Sequence, residues 1–370
     1  MRVLLACGGT GGHIYPAVAV AQWFKAHERG AEILFVGAEG AMETKLVPAE
    51  GFQLRTVRVS SLAHNMSLKA LRRNAKAMAQ LLGSMRGAGK IIKEFRPDIV
   101  IGTGGYVCFP VVYEARSRRI PALLHESNAR PGLTTRILAR RVDRVMTGFA
   151  GLEGQYPRPE RVVFTGTPVR EAFLLADRDR ARRELGLDER PVVVSAFGSL
   201  GARDMNRVMA GVLEHAAQSG QWQMLHAAGT RYYETLTETL KERGAGDKAN
   251  IRIYEYISDM PRVMAAADAF IGRAGASTLT ELMVTGTPAV LIPSPNVTGD
   301  HQTANAQKLR EQCGVEVLPE AGLTPERLLE ALEGWLGDPE RLKRTRAALM
   351  KASAPDAAQR IYDLAKEVVR

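Results

Sequence analysis

Short apolar runs recur along the chain, each followed by a longer stretch in which apolar positions return at helical spacing. The runs fall at residues 3–6, 33–36, 99–101, 122–124 and 142–146, and again at 192–196, 223–226, 251–254, 269–271 and 289–292. Most of them are apolar without alternation, as strands are when both faces of their sheet are covered. Strands alternating with helix-length segments predict an α/β protein with parallel sheets. Between the two groups stand "FTGTPVREAF" (164–173) and the charged stretch "DRDRARREL" (177–185), and a boundary is expected there.

Two segments on either side of that boundary share a pattern. "DIVIGTGGYVCFPVVYEARSRRIPALLHE" (98–126) and "DAFIGRAGASTLTELMVTGTPAVLIPS" (268–294) each run Asp, strand, Gly-x-x-Gly, helix, Pro-Ala, strand. The repeat predicts two similar halves. A length of 370 residues also suits two domains better than one core. The expected domains are 1–166, joined by a C-terminal helix 355–370 after the break at Ala354-Pro355, and 167–354, with a cleft between them.

Composition narrows the class. Hydrophobic residues make up 45% and charged residues 24%, a globular balance. No apolar run approaches the roughly 18 residues of a spanning helix, so any membrane contact is expected to be peripheral. Cys7, Cys108 and Cys313 are widely separated, which argues against a disulfide framework or a zinc site. The charge is uneven: residues 1–168 hold 24 Lys/Arg against 12 Asp/Glu, a balance of +12, and the remainder hold 26 against 28, a balance of −2. A basic first half attracts anionic lipid, nucleic acid or anionic substrate.

The chemistry concentrates in glycine-rich turns after strands. "LLACGGTGGHIYPAVAVAQWF" (4–24) is a strand, a loop and a helix, but Ile14 stands where a dinucleotide fingerprint needs its last glycine, and the second strand ends in Gly37 without an acidic ribose ligand. What remains is an anion cradle at a helix N-terminus, formed by Gly9, Thr10, Gly11 and Gly12, with His13 at the junction as a candidate general base. "GTGGY", with Gly104, Gly105 and Tyr106, is a second such turn in the first half. "FGSLGAR", with Ser199, and "GRAGASTLTE", with Ala276, Ser277, Thr278 and Glu281, are two in the second half. Two per half point to two anionic ligands facing each other. "HESNARPG", with Glu126 and Asn128, and "DHQTANA", with Gln302 and Thr303, leave strands where α/β sheets bind ligands. Asp177-x-Asp179 spells a metal-binding pattern, yet it is interleaved with arginines and follows no strand, so a solvated helix face is expected and no metal. The stretch 67–96 carries eight Lys/Arg and one Glu among apolar positions, a basic amphipathic helix suited to anionic lipid; Arg72, Arg73, Lys76, Leu81, Leu82, Met85 and Arg86 form the expected patch.

Taken together, "GGTGGH", "GTGGY", "HESN", "GTPVR", "FGSLGAR", "GASTLTE" and "DHQTANA" resemble, in order and over nearly the full length, the peptidoglycan UDP-N-acetylglucosamine transferases that convert lipid I to lipid II. The resemblance implies a GT-B glycosyltransferase, two Rossmann-like domains with parallel sheets facing across a cleft. It implies an acceptor pyrophosphate on Gly9, Thr10, Gly11, Gly12, Gly104, Gly105 and Tyr106, and catalysis by His13 and Glu126. It implies UDP-GlcNAc on Thr10 to His13, Asn128, Arg170, Ser199, Ile257, Ala276, Ser277, Thr278, Glu281, Gln302 and Thr303, with Ile257 reading uracil through its backbone and Glu281 binding ribose. No cofactor or metal is obligatory. The implied partners are UDP-GlcNAc, polyprenyl-pyrophosphate-linked lipid I, the cytoplasmic face of an anionic membrane and other cell-wall synthesis proteins, without nucleic acid. This chain has "HESN" for the more familiar "HEQN", "GTPVR" for "GNPVR", and Leu200 where glutamine is common. A GT-B enzyme with a different lipid or small-molecule acceptor shares the donor half; a basic nucleic-acid binder accounts for the charge but for none of the glycine turns.

Overall fold

The structure is a computed structural model that describes residues 1–59, 68–246 and 248–369; the side chains at 68–79 and 298 lie outside that description. Two units divide the chain, Met1–Arg170 with Ala354–Arg370, and Glu171–Ser353. The first boundary therefore falls after residue 170 rather than 166, which puts the whole "GTPVR" turn in the first unit. Hydrogen bonds hold it there: Gly166 donates its N–H to Thr147 O at 3.1 Å, and its own carbonyl accepts from His125 Nε2 at 2.9 Å.

The first unit's sheet contains β1 (Arg2–Cys7), β2 (Glu32–Ala38), β3 (Gln53–Val57), β4 (Ile99–Gly104), β5 (Ala122–Glu126), β6 (Arg144–Thr147) and β7 (Val162–Phe164), in the order β3-β2-β1-β4-β5-β6-β7. That of the second contains β8 (Val192–Ala196), β9 (Gln223–Ala227), β10 (Ile251–Tyr254), β11 (Ala269–Gly272), β12 (Ala289–Leu291) and β13 (Glu316–Val317), in the order β10-β9-β8-β11-β12-β13. All pairings are parallel, in keeping with the apolar runs. Both are doubly wound sheets whose strand order reverses beside the first strand, between β1 and β4 and between β8 and β11. Ligands bind at such switch points, beyond the carboxyl ends of the strands.

The internal repeat is structural. Its first copy is β4, the helix Cys108–Ser117 and β5; its second is β11, the helix Ala276–Thr285 and β12. The aspartate that opens each copy does the same work: Asp98 Oδ2 accepts from Arg2 N at 2.7 Å at the start of β1, and Asp268 Oδ2 accepts from Val192 N at 2.9 Å at the start of β8. Asp177 caps the helix Arg178–Glu184 by accepting from Arg180 N at 2.8 Å, a structural use for the Asp-x-Asp pattern.

The last helix, Ala357–Val369, packs on the helix Gly11–His27 of the first unit. Tyr362 meets Phe24 edge-on at 5.0 Å, and Glu28 accepts from Lys366 Nζ at 2.8 Å and Tyr362 Oη at 2.9 Å. Those two donors, Lys366 foremost, hold the Glu28 carboxyl below its ordinary range. Among the described residues no helix is long and apolar enough to cross a membrane.

Candidate active site

In the first unit the glycine turns after β1 and β4 stack backbone on backbone. A Cβ on Gly105, whose φ is +88°, would lie 2.3 Å from Gly8 O, so only glycine permits the approach. The helix Gly11–His27 opens here with Thr10 at its N-cap, and its first N–H groups, which have no partners within the helix, are the natural donors for an anion. His13 sits in that first turn and is held on three sides. Its Nδ1 lies 3.0 Å from Gly8 O, Thr103 Oγ1 donates to its carbonyl at 2.7 Å, and Gly104 leaves the space for its ring, since a Cβ there would be 2.4 Å from Cδ2. A carbonyl only accepts, so Nδ1 carries the proton in the neutral ring and Nε2 keeps its lone pair.

Two expectations change here. Gly9 was expected to offer its N–H to phosphate, but that N–H donates to Glu43 Oε2 at 3.1 Å, which leaves the cradle to Thr10, Gly11 and Gly12. Glu126 was expected to be catalytic, but it is buried and both its oxygens are occupied. It accepts from Asn128 N at 3.1 Å, Asn128 Nδ2 at 2.9 Å, Gly132 N at 3.1 Å and Thr135 Oγ1 at 2.6 Å. Those donors make it the organiser of the "HESN" loop, with Asn128 as the side chain it orients. Tyr106 is half exposed beside the turn. Arg170, at the end of the first unit, lies over the Tyr15 ring at 5.2 Å, on the helix that carries His13.

In the second unit the switch point brings the turns after β8 and β11 side by side. Ser199 O accepts from Thr230 N at 3.2 Å, which ties its turn to the one after β9. Ala276, Ser277 and Thr278 form the first turn of the helix Ala276–Thr285, again with N–H groups free of intrahelical partners, and Glu281 lies further along it. Ile257 is buried just after β10. Gln302 Oε1 accepts from Ser294 N at 2.8 Å, so this expected sugar ligand also shapes the proline-rich loop; Thr303 follows it on the helix His301–Cys313.

Three residues in these corners were not expected. Asn305 is fully buried and its Nδ2 donates to Ala274 O at 3.1 Å, next to the start of the helix Ala276–Thr285. Arg273 makes a two-pronged pair with Glu320 at 2.8 and 3.1 Å, donates to Ile292 O at 3.1 Å and lies over the Phe197 ring at 5.7 Å. The third is Glu43, fully buried on the short helix after β2. Its signal was Gly37, noted for lacking an acidic neighbour: a glycine ending a buried strand makes room for a side chain that arrives six residues later.

The expected basic patch lies on the helix Leu68–Phe95. The side chains of Arg72, Arg73 and Lys76 are outside the described ones. Leu82 and Arg86 are exposed, Leu81 and Met85 half-buried. A groove of about 510 Å³ runs beside them, lined by Met85, Arg86, Lys90, Lys93 and Arg118 among others.

Two Rossmann-like domains of this kind, with glycine turns at both switch points, form the GT-B glycosyltransferase fold. The glycosyltransferase family 28 N-terminal domain matches residues 3–147 and the family's C-terminal domain residues 192–361, and the chain belongs to that family of enzymes. It is 41% identical over 369 residues to the Caldanaerobacter subterraneus subsp. tengcongensis protein named UDP-N-acetylglucosamine–N-acetylmuramyl-(pentapeptide) pyrophosphoryl-undecaprenol N-acetylglucosamine transferase, covering 100% of both chains. It is 39% identical over 368 residues to the protein of the same name from Lactococcus lactis subsp. lactis, covering 100% of this chain and 99% of that one. The crystal structure of Acinetobacter baumannii MurG superposes with a TM-score of 0.78 at 28% identity over 99% of each chain. A Neisseria meningitidis UDP-GlcNAc 2-epimerase bound to UDP-GlcNAc, 13% identical with a TM-score of 0.70 over 99% of this chain and 100% of that one, shares the fold alone.

Proposed function

We infer that this chain transfers GlcNAc from UDP-GlcNAc to N-acetylmuramyl-(pentapeptide) pyrophosphoryl-undecaprenol, the lipid I to lipid II step of peptidoglycan synthesis. The reading is carried by 41% identity along the whole chain to a relative named for that reaction. In the transfer, the C4 hydroxyl oxygen of MurNAc bonds to C1 of GlcNAc as the bond from C1 to the UDP oxygen breaks. The hydroxyl proton passes to His13 Nε2, UDP leaves, and the α configuration inverts to β. The Nδ1 bond to Gly8 O supports this role, because it leaves Nε2 as the basic nitrogen.

Thr10, Gly11 and Gly12 hold the acceptor pyrophosphate through N–H groups at the helix N-terminus, with Gly104, Gly105 and Tyr106 beside them. Ser199 and the first turn Ala276, Ser277, Thr278 hold the UDP diphosphate, where fixed N–H dipoles and Arg170 stabilise the leaving charge. Ile257 reads uracil by its backbone, Glu281 takes the ribose, and Asn128, Gln302 and Thr303 take the sugar. Glu126 acts by positioning Asn128. The basic and apolar face of the first unit lies peripherally on the cytoplasmic side of the anionic membrane that carries the acceptor, in company with other cell-wall synthesis proteins.

The test mixes purified protein with labelled UDP-GlcNAc, a short-chain lipid I analogue and EDTA, and follows label into the lipid. Transfer is expected. UDP-GlcNAc binding without transfer would overturn the acceptor assignment and leave the donor half standing.

A further inference from the structure

Transfer as described uses His13 and leaves the buried carboxylate of Glu43 without a part. We propose that Glu43 is a positioning residue that acts on His13 through the peptide group between Gly8 and Gly9; this rests on the reading of His13 as the base. That peptide is gripped from both sides. Its N–H donates to Glu43 Oε2 at 3.1 Å, and its carbonyl oxygen lies 3.0 Å from His13 Nδ1. The N–H and C=O of a trans peptide point in opposite directions. Carboxylate, peptide and imidazole therefore form one chain of hydrogen bonds running in the same sense, in which each bond polarises the next. When Nε2 takes a proton, the carboxylate at the far end favours the charge the ring has gained. A triad aspartate does this by direct contact with its histidine; here one peptide unit intervenes.

The carboxylate is built in rather than adventitious. Its other oxygen accepts from Ala38 N at 2.7 Å, which fixes its rotation. Two glycines make its space: a Cβ on Gly8 would lie 2.3 Å from Oε1, and one on Gly37 would lie 2.4 Å from Cγ. The other ionisable groups at this corner are Cys7 under the loop, Cys108 and Tyr106 in the neighbouring turn, His125 and Glu126 at the end of β5, and Arg170 over Tyr15. Burial pushes both thiols up and His125 down, so all three are neutral near pH 7. Glu126 is bound by its own four donors. Glu43 is the acidic side chain joined to the ring by hydrogen bonds.

The experiment is a ¹⁵N NMR pH titration of the histidine-labelled full chain, with His13 assigned by its absence in His13→Ala. The wild-type ring is expected to carry its proton on Nδ1. Glu43→Gln, which keeps the side-chain size, is expected to lower the His13 pKa by roughly 0.5 to 1 unit, because an opposite charge has been removed. The acid limb of the kcat profile should move with it while the KM for UDP-GlcNAc stays put. A wild-type proton on Nε2, or a Glu43→Gln protein with unchanged His13 pKa and tautomer, overturns the proposal. The wild-type tautomer is read without any substitution at Glu43, so the test stands even where Glu43→Gln fails to fold. Undiminished kcat in His13→Ala defeats the base assignment instead, independently of the tautomer.

Discussion

The internal repeat allows the two units to be compared residue by residue where the fourth strand of each sheet ends. The first unit reads Gly102-Thr103-Gly104-Gly105 and the second Gly272-Arg273-Ala274-Gly275. Thr103 donates to the carbonyl of His13, and Gly104 gives up its side chain to admit the imidazole. In the same places Arg273 ties Glu320, Ile292 O and Phe197 together, and buried Ala274 presents its carbonyl to Asn305. One scaffold thus carries two kinds of corner. The first is emptied around a group that can exchange a proton; the second is braced by a cation whose hydrogen bonds go to protein, leaving backbone N–H groups for a ligand.

The strongest way to break this contrast is His13→Ala. Loss of a general base is expected to cost about 10² to 10⁴ in kcat, far more than it costs in UDP-GlcNAc affinity. Single-turnover rates and calorimetry on the same protein would show it, and a loss of donor affinity as large as the loss of rate would mean that the corners do not divide the work. Arg273→Met should do the reverse. It strands Glu320 in a site where the pair is 15% and 17% exposed, and is expected to destabilise the second unit toward the lower end of about 3–5 kcal/mol. Donor affinity should fall with it. The double variant Arg273→Met/Glu320→Leu should recover much of the stability in denaturant titrations but not the donor affinity.

Much of this plan was legible in the sequence because the central strands are buried on both faces and read as unbroken apolar runs. All ten predicted strands are present. The three that were missed, β3, β7 and β13, are edge strands, and the residues of β3 are mostly half or fully exposed. An edge strand needs no apolar run, so periodicity can miss it; β10, also at an edge, was found because its run 251–254 keeps apolar positions at Ile251 and Ile253. The glycine turns could be read from composition for the same reason that they work: backbone approaching backbone excludes other residues. Arg273 and Asn305 could not, since each acts by a hydrogen bond to a segment far off in sequence, and the one trace of Glu43 was the room left at Gly37. Glu126 was found, but its four hydrogen-bond donors were not, because a motif shows that a carboxylate is present and not which donors it accepts from.

A subtler comparison concerns one buried histidine in each unit. His226 on β9 lies with Nε2 3.0 Å from Asn206 Oδ1 and Nδ1 2.7 Å from Ser195 Oγ, and burial pushes it down to about 3. Burial also lowers His125 on β5, though the Gly166 carbonyl opposes the shift. Unfolded, each histidine binds its proton near 6.5. Between that value and the folded one the unfolded chain holds more protons, so stability is complete above about pH 6.5 and falls as acid is added. For His226 the loss at pH 5 is about 2 kcal/mol. Urea midpoints at pH 7.5 and 5 should show it, with the second unit the more sensitive. His226→Gln should flatten the dependence, and an unchanged slope would acquit this histidine.

The smallest expected effect tests the contrast in charge, +12 for residues 1–168 against −2 for the rest. On the first unit, exposed Leu82 lines the groove with Arg86, Lys90, Lys93 and Arg118, and Leu133 and Ile137, 61% and 44% exposed, are one helical turn apart on the helix Leu133–Leu138. Apolar side chains of this kind insert between headgroups, and cations beside them add about 1 kcal/mol each near an anionic surface. Arg86→Glu replaces an attraction with a repulsion and is expected to weaken sedimentation with anionic vesicles roughly tenfold at low salt. Arg207→Glu, at an exposed side chain of the second unit, should leave it unchanged. Raising the salt should shrink the first difference, because charge is screened within about 10 Å at 0.1 M, while Leu82→Ser should weaken binding at every salt concentration. If both arginine variants lose binding equally, the membrane reads the net charge of the whole chain, and the basic face of the first unit has no special part in bringing the enzyme to its acceptor.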